Sequence, residues 1–454
     1  MPNALYTDTI VAIATASGIG GIGIVRISGE NALDIARSLS KLTVIQPRYV
    51  YFSKIHSPSG ELLDEGCIIY FKSPESYTGE DIIEIQLHGS PYILKSLLNY
   101  CFTLGARLAT EGEFTKRAFI NGKLSLRQAE SINDIIHASS EKSHAVALNH
   151  LKGKLFNEIS EYRSQLVELL ENIEASIDFP DEVERIDRKL FLKVVTQLQK
   201  KIRLIVDNKD YGEYVAQGVH CIIVGKPNVG KSSLFNQLLG NNRAIVTDIA
   251  GTTRDYIQGS IELGGLLFHF YDTAGIRESD DYIEYLGIQK IQELIEKAQL
   301  ILWVNDHSQP FTNQDEQVWS RIKHKKNISI LLNKSDCESQ EPQWTEDYSM
   351  YPIFSVSAKE SDTLATFKNY LRDTFISTFE NKNLDLLCNA RQIQVFMSCE
   401  SFLSQLEEDL LDGQLDDMLS VPLRAVIALL GEVTGDDLNE EILDGIFQRF
   451  CIGK

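Results

Sequence analysis

The chain has 454 residues, 43% hydrophobic and 24% charged, with a formal net charge of -20. That length predicts two to four domains, the composition excludes extensive disorder, and the acidic balance argues against broad, non-specific attraction to nucleic acid. Seven cysteines without a C-x-x-C pair indicate neither a disulfide framework nor a zinc site, and no apolar run or leader-type start at Met1 to Ile13 points away from the cytoplasm as the expected location.

Asp8 to Thr110 reads as an α+β domain. Thr9 to Ala14, Ile22 to Ile27 and Ile82 to Leu87 are apolar and β-leaning, while Asn31 to Leu39 and Pro91 to Leu104 carry helical patterns. Pro91 suits a first helical turn. Gly18, Gly20 and Gly23 spell G-x-G-x-x-G, but Ile24 to Ser28 is β-like where a dinucleotide fold needs a helix, so these glycines predict a flexible turn. From Ser125 the pattern becomes helical. Leu148, Leu151, Leu155, Ile159, Tyr162, Leu166, Leu169, Ile173 and Ile177 recur at three- and four-residue steps and predict one long bundle helix. Asp178-Phe179-Pro180-Asp181 stops it, and a second amphipathic run follows from Arg188 to Val206.

Near Gln217 the period changes to alternating strands and helices that continue to Thr378, the grammar of a doubly wound parallel sheet. Helical pattern resumes at Arg391 to Leu411, Val421 to Leu430 and Leu438 to Phe450. The simplest architecture is a helical domain, 123–216 and 379–454, interrupted by an α/β insertion at 217–378 and preceded by the α+β domain at 1–122. Three consecutive independent domains are the other reading.

Cys221-Ile222-Ile223-Val224 is a short apolar strand leading into Gly225-Lys226-Pro227-Asn228-Val229-Gly230-Lys231-Ser232. This fits G-x-x-x-x-G-K-[ST], a P-loop, with the strand before it and the helical run after it that the motif requires. Backbone N–H groups turn inward around phosphates, Lys231 supplies a charge to the terminal ones, and the Ser232 hydroxyl is a Mg2+ ligand. Asp272-Thr273-Ala274-Gly275 follows the apolar strand Leu266 to Tyr271, where a metal-directed aspartate and a glycine free to meet the γ-phosphate belong. Thr252 and Thr253 lie between the two, in a loop where one hydroxyl can close on Mg2+. Asn333-Lys334-Ser335-Asp336 follows the strand Ile328 to Leu332 and chooses the base. A carboxylate at Asp336 accepts from guanine N1–H and its exocyclic amine, which adenine does not offer, so GTP is the expected nucleotide. Ser357-Ala358-Lys359, after Ile353 to Val356, completes the base pocket.

The residue after Gly275 is Ile276, which cannot orient water as a glutamine does. Arg254 and Arg277 are nearby, each either an arginine finger or a solvated switch residue. Hydrolysis then needs a cation and a carboxylate from elsewhere. Glu284 is the best available carboxylate, its other reading being an exposed helix charge.

Gly251-Thr252-Thr253-Arg254-Asp255, Asp178-Phe179-Pro180-Asp181-Glu182 and the terminal Cys451-Ile452-Gly453-Lys454 together resemble the MnmE (TrmE) family of tRNA modification GTPases, and the likeness covers essentially the whole chain. It implies a multidomain α/β and α fold: an N-terminal α+β folate-binding and dimerisation domain, a discontinuous helical domain, and an inserted Ras-like P-loop GTPase domain. It implies GTP contacts at Asn228, Val229, Gly230, Lys231, Ser232, Ser233, Thr247, Asp248, Ile249, Ala250, Gly251, Thr252 and Thr253. Further contacts would come from Asp272, Thr273, Ala274, Gly275, Asn333, Lys334, Asp336, Ser357, Ala358 and Lys359. Mg2+ would be held by Ser232 and Thr253, K+ by Asn228 with loop atoms of Thr247, Ile249 and Thr252, and water activated by Glu284.

The resemblance also implies a homodimer that works with a flavin-dependent partner of the MnmG (GidA) type. The pair would install a carboxymethylaminomethyl-type group at C5 of the tRNA wobble uridine, using 5-formyltetrahydrofolate or methylenetetrahydrofolate. Arg26 within Ile24 to Gly29, Glu80 within Tyr77 to Asp81, Lys123 after Arg117 to Gly122, and Lys454 of the tail would touch the folate. An anionic glutamate tail and a pterin donor edge suit such a mixture of cations and a carboxylate. Cys451 is either a functional thiol whose pKa the nearby Lys454 lowers, or an inert terminal cysteine.

Overall fold

The computed structural model describes residues 8–179, 187–240, 257–272, 291–338, 348, 350–377, 383–436 and 440–454. The chain divides into two compact units, the first made of Met1–Ile136, His150–Gln199 and Ser398–Lys454, the second of His137–Asn149 and Lys200–Met397.

The first unit opens with a sheet of β1 (Thr9–Ile13), β2 (Gly20–Ser28), β3 (Val50–His56), β4 (Leu62–Phe71), β5 (Ile82–Gly89) and β6 (Ala106–Leu108), in the order β3-β4-β5-β2-β1-β6. Neighbours are antiparallel except β1 and β6, which run parallel. Alternation assigns the faces: Val25 and Ile27 of β2 and Ile83, Ile85 and Leu87 of β5 are buried under α1 (Ala32–Ser40) and α2 (Pro91–Thr103). Each such side chain contributes roughly 1.5–3 kcal/mol when fully withdrawn from water. Arg26, Glu84 and Gln86 alternate with them and so belong to the opposite face.

Gly20 and Gly23 lie within β2, which bulges between them, so the expected flexible turn is confined to Gly18, at φ +126. Gly23 is small for a packing reason, since a Cβ there would come 2.5 Å from Leu94 Cδ1 on α2. The sequence pattern missed β3, β4 and β6, whose mixed residues lack a clean period.

Next come α3 (Glu113–Ile120), α4 (Leu126–His137), α5 (Glu141–Lys152) and α6 (Lys154–Asp178). The single long helix expected across Leu148 to Ile177 is therefore two. Gly153 adopts φ +73, a left-handed conformation that interrupts the α ladder at little cost for a residue without Cβ. The apolar periodicity runs straight through this break, which is why pattern alone could not see it. Leu155, Phe156, Ile159, Leu166, Leu169 and Ile173 of α6 are buried. Helix α7 (Arg188–Val206) has the bounds its amphipathic run predicts, and α8 (Lys209–Gln217) was not anticipated.

The second unit holds a six-stranded sheet of β7 (Val219–Val224), β8 (Ile257–Leu263), β9 (Leu266–Asp272), β10 (Leu300–Asp306), β11 (Ile328–Asn333) and β12 (Ile353–Ser355), in the order β12-β11-β10-β7-β9-β8. Its strands are parallel apart from β8, which pairs antiparallel with β9 through the two-residue turn Gly264-Gly265 at φ +54 and +81. The expected all-parallel sheet thus gains one antiparallel edge strand, because only a tight glycine turn joins β8 to its neighbour. Strands β10 and β11 are buried along their whole length, as central strands covered on both faces must be. Helices α9 (Lys231–Leu239), α10 (Asn313–Ile322) and α11 (Leu364–Phe375) belong to this layer.

Helix α12 (Ala390–Leu411) leads back into the first unit, followed by α13 (Asp416–Thr434) and α14 (Glu440–Phe447). There α13 packs on α6, where Arg424 Nη2 lies 2.5 Å from Glu174 Oε1. Ile446 and Phe447 of α14 join Phe450 against Leu126 and Ala129 of α4, so the end of the chain returns to the N-terminal region.

Candidate functional site

Strand order reverses at β7, with β9 on one side and β10 on the other, and the loop after β7 opens at that switch point, where α/β sheets bind ligands. Gly225 begins the loop. A Cβ there would collide with the Val304 carbonyl of β10, and one at Gly230, at φ +92, would collide with Asn333 Nδ2. Both glycines are therefore required by close approach of backbone or amide. Asn228 sits at φ +64, a left-handed conformation that asparagine tolerates better than most residues. The loop ends at the N-terminus of α9, whose first-turn N–H groups and positive dipole end favour a phosphate.

Lys231 is buried, with Nζ donating to the Lys226 carbonyl at 2.9 Å, while Ser232 and Ser233 are exposed at the start of the helix. A cavity of about 590 Å3 spreads from Gly225, Asn228, Lys231 and Ser232 to Lys334, with an apolar wall that includes Ile295 and Val318. Asp272, 1% exposed, ends β9 and pairs in register with Ile223 of β7, which brings its carboxylate to the strand end beside the loop. Among the described residues no cluster of three His, Cys, Asp or Glu could hold a metal. Ser232 and Asp272 instead supply hard oxygen donors that suit Mg2+ when nucleotide phosphates complete the shell.

The residues expected to form a base pocket are joined by hydrogen bonds between loops. Asn333, 1% exposed, donates from Nδ2 to the Val229 carbonyl at 2.7 Å and accepts from Ala358 N–H on Oδ1 at 3.2 Å. One amide thus ties the phosphate loop to the loop after β12. Asp336 Oδ2 accepts from Lys359 Nζ at 2.8 Å and Oδ1 from Ser357 Oγ at 2.8 Å. Those two bonds, Lys359 first, hold the Asp336 carboxyl below its usual range, so it is an acceptor at neutral pH. Lys334, at φ +65, donates to Asp306 Oδ2 at 2.6 Å. Burial opposes ionisation of Asp306, but bonds from Lys334 and Ser308 outweigh it and keep its pKa low.

In the first unit a second polar assembly lies on the open sheet face. Arg26 of β2 stands opposite Glu84 of β5 and donates to its Oε1 from Nε at 3.0 Å and Nη2 at 2.8 Å. Its Nη1 reaches the Gly453 carbonyl at 3.4 Å, and its guanidinium lies 5.8 Å from the ring centres of Tyr77 and Phe114. Lys454 accepts on its carbonyl from Phe114 N–H at 3.2 Å, and Ile452 bridges to Glu111. Gly453, at φ +99, presses on the Ile13 carbonyl, which leaves no room for a side chain. Burial, helped by the Arg26 charge, lowers the Lys454 pKa, while Glu84 and Cys451 oppose the shift. Cys451 is exposed.

Glu80 accepts from Ser28 Oγ at 2.7 Å and from Arg117 Nη1 at 3.1 Å. Arg117 is fully buried and also binds Glu113 and Asp8, each through Nη2, at 2.9 and 2.8 Å. Lys123 is exposed, and its stem borders Gly79, next to Glu80. Arg26 and Lys454 are therefore brought together, with Glu80 and Lys123 along the neighbouring loop. Sequence reasoning missed Glu84, Arg117, Asp306 and Asp315. Glu84 had a signal in the alternation Ile83-Glu84-Ile85-Gln86-Leu87, which marks one sheet face as polar. Glu284, Thr247, Asp248, Ile249, Ala250, Gly251, Thr252, Thr253, Thr273, Ala274 and Gly275 lie outside the described residues, as do Arg254, Ile276 and Arg277.

Comparison with known proteins covers both units. Residues 9–123 match the family described as "GTP-binding protein TrmE N-terminus", and residues 126–451 match the "MnmE helical domain". The tRNA modification GTPase MnmE of Thermotoga petrophila is 40% identical over 456 residues, covering 98% of this chain and 100% of that protein. The namesake from Aquifex aeolicus is 39% identical over 450 residues, with 98% and 100% covered, and that from Clostridioides difficile is 38% identical over 461, with 98% and 99% covered.

Proposed function

The chain belongs to the MnmE family of tRNA modification GTPases, and from that membership we propose that it spends GTP hydrolysis on a folate-dependent modification of the wobble uridine. GTP is the nucleotide and tRNA the substrate. The observation that carries the nucleotide half is the Asn333 amide, which bonds the phosphate loop at Val229 and the base loop at Ala358 while Asp336 stands ionised beside them. A site wired in this way binds phosphate and guanine as one rigid unit, which is what selective hydrolysis needs.

In this reading Ser232, with Thr253, holds Mg2+, and Asn228, with Thr247, Ile249 and Thr252, holds K+. The ions supply charge neutralisation where the leaving phosphate oxygens become more negative. Lys231 and the α9 amides bind and orient the phosphates, and Glu284 accepts a proton from the attacking water. K+-promoted dimerisation of segment 217–378 belongs to the same proposal, as does its division from 1–122, 123–216 and 379–454.

For the other half, Arg26, Glu80, Lys123 and Lys454 bind a reduced folate, which supplies the one-carbon unit when bound. The support is chemical: a paired guanidinium, a half-buried ammonium and two flanking aromatic rings suit a flat heterocycle with an anionic tail. Cys451 offers a thiol beside Lys454. A homodimer and a flavin-dependent partner of the MnmG type complete the reaction, in the cytoplasm where tRNA is modified. Among the described residues no helix is long and apolar enough to cross a membrane. The test is titration of the full chain with 5-formyltetrahydrofolate, together with nucleoside mass analysis of tRNA from cells lacking it. Saturable binding lost in Arg26→Ala and an unmodified wobble uridine are expected; absence of both overturns the proposal.

A further inference from the structure

Lys226, the residue after Gly225 in the phosphate loop, is tied to a helix far along the chain. Its Nζ lies 2.7 Å from Asp315 Oδ2 and 3.4 Å from Thr312 Oγ1. The pair is withdrawn from solvent, with the side chains of Lys226 and Asp315 12% and 2% exposed. The same Asp315 oxygen accepts from the Thr312 N–H at 2.9 Å and the Thr312 hydroxyl at 2.7 Å, half of a capping box at the start of α10. The Lys226 carbonyl in turn accepts from Lys231 Nζ. A carboxylate outside the GTP motifs therefore holds the loop residue whose backbone holds the loop lysine.

A helix cap alone does not call for a lysine, and burying two charges costs free energy that the mutual attraction only partly returns. What the pair adds is a fixed backbone position one residue beyond Gly225, which is itself pressed against the Val304 carbonyl of β10. With Gly225 set by β10 and Lys226 by α10, the curvature of the loop is determined before a phosphate arrives. Preorganisation of this kind strengthens binding by removing an ordering cost.

We propose that Asp315 is a positioning residue for nucleotide binding, acting through Lys226 to keep the phosphate loop in its phosphate-receiving curvature. This rests on the reading of 225–232 as a phosphate loop. The test compares KM for GTP, kcat and Tm of the full-length protein with those of Asp315→Asn, Lys226→Met, the double variant and Lys231→Ala. Each single variant raises KM about tenfold and shifts kcat by less, and the double variant is no more than about twofold worse than either. Asp315→Asn also lowers Tm by loosening the α10 cap, whereas Lys226→Met lowers it less, so KM follows the ion pair and not stability. Wild-type KM in Lys226→Met, or additive effects in the double variant, overturns the proposal and leaves Asp315 a helix cap. Lys231→Ala separates the two failures. GTP binding that survives it removes the phosphate-loop reading itself, while binding lost there with wild-type KM in the other variants removes only the clamp.

Discussion

Arg26 and Glu84 face each other across β2 and β5, and the guanidinium spends two of its N–H groups on one carboxylate oxygen, Oε1. A third N–H reaches the Gly453 carbonyl. One arginine thus joins the N-terminal sheet to the last residues of the chain, and the tail's place depends on how firmly Glu84 holds that arginine.

Glu84→Gln removes the charge and keeps the shape. The expected result is a loss of about tenfold in affinity for a reduced folate, because a mostly buried guanidinium loses its charged partner at a cost of about 1–3 kcal/mol. Deleting Cys451 to Lys454 should produce a loss of similar size, and the two changes should combine less than additively. Isothermal titration of the full chain measures all three, and independent, additive losses would separate the tail from the Arg26 pair.

Asp336→Asn turns an ionised acceptor of two N–H groups into an amide whose own N–H2 donor meets the exocyclic amine of guanine. Affinity for GTP should fall by roughly a hundredfold or more, and affinity for xanthosine triphosphate should rise, since xanthine offers an acceptor where guanine offers an amine. Competition binding with the two nucleotides reads this directly. Equal losses for both would mean that the loop had collapsed and that base recognition was never tested.

The strands that lead into the nucleotide motifs were legible because each is a short apolar run ending at a contiguous motif, and β7, β9, β11 and β12 end within two residues of where those runs do. The bounds of α7 were legible for a related reason: its apolar stripe is clean and Asp187 and Val206 bracket it. What stayed hidden depends on register or on backbone angle. Arg26 meets Glu84 only once β2 and β5 are aligned, Lys226 of the loop after β7 meets Asp315 of α10 only in the folded chain, and the break at Gly153 leaves the apolar period unchanged. Antiparallel β8 escaped because its order depends on a glycine pair that a sequence pattern reads only as a turn.

His220 and His269 stack at 5.1 Å on β7 and β9, with His220 Nδ1 2.7 Å from the Tyr271 hydroxyl and His269 Nδ1 2.7 Å from Ser260 Oγ. Burial, with the second imidazole beside it, pushes the His220 pKa down from 6.5 to about 4, and burial lowers that of His269 too. Both are neutral in the fold, so their contribution is intact above pH 6.5, where the unfolded chain is also neutral. It is lost as pH falls from 6.5 toward 4, because the unfolded state takes up protons first, by at most about 3 kcal/mol for His220. Glu113, depressed to about 2 because bonds from Arg107, Thr110 and Arg117 outweigh its burial, is lost only at lower pH. Thermal melts of wild type and His220→Phe between pH 7 and 4 should therefore diverge in slope, with the variant flatter, whatever its absolute Tm. Parallel curves would assign the acid loss to other groups.

Ile276, the residue after Gly275, has a side chain that cannot orient water. Hydrolysis then needs help from elsewhere, and a monovalent cation beside the phosphates can take the place of an arginine finger, neutralising charge that develops on the leaving oxygens. Asn228 supplies a side-chain carbonyl at the phosphate cavity and sits at φ +64. That angle matters for the choice of variant, because alanine there would add backbone strain to the loss of the ligand, whereas glycine adopts it freely. Hydrolysis should run faster in K+ than in Na+, since a carbonyl-lined site discriminates by cavity size and ligand number. Asn228→Gly should remove most of that difference while still binding GTP. Glu284→Ala should instead slow hydrolysis in both salts with nucleotide affinity nearly unchanged, as expected of a group that acts in the transition state. Single-turnover measurements in matched K+ and Na+ buffers distinguish these outcomes. Equal rates in the two salts for the wild type would falsify the cation's role, and a salt preference that persists in Asn228→Gly would move its ligands to other residues.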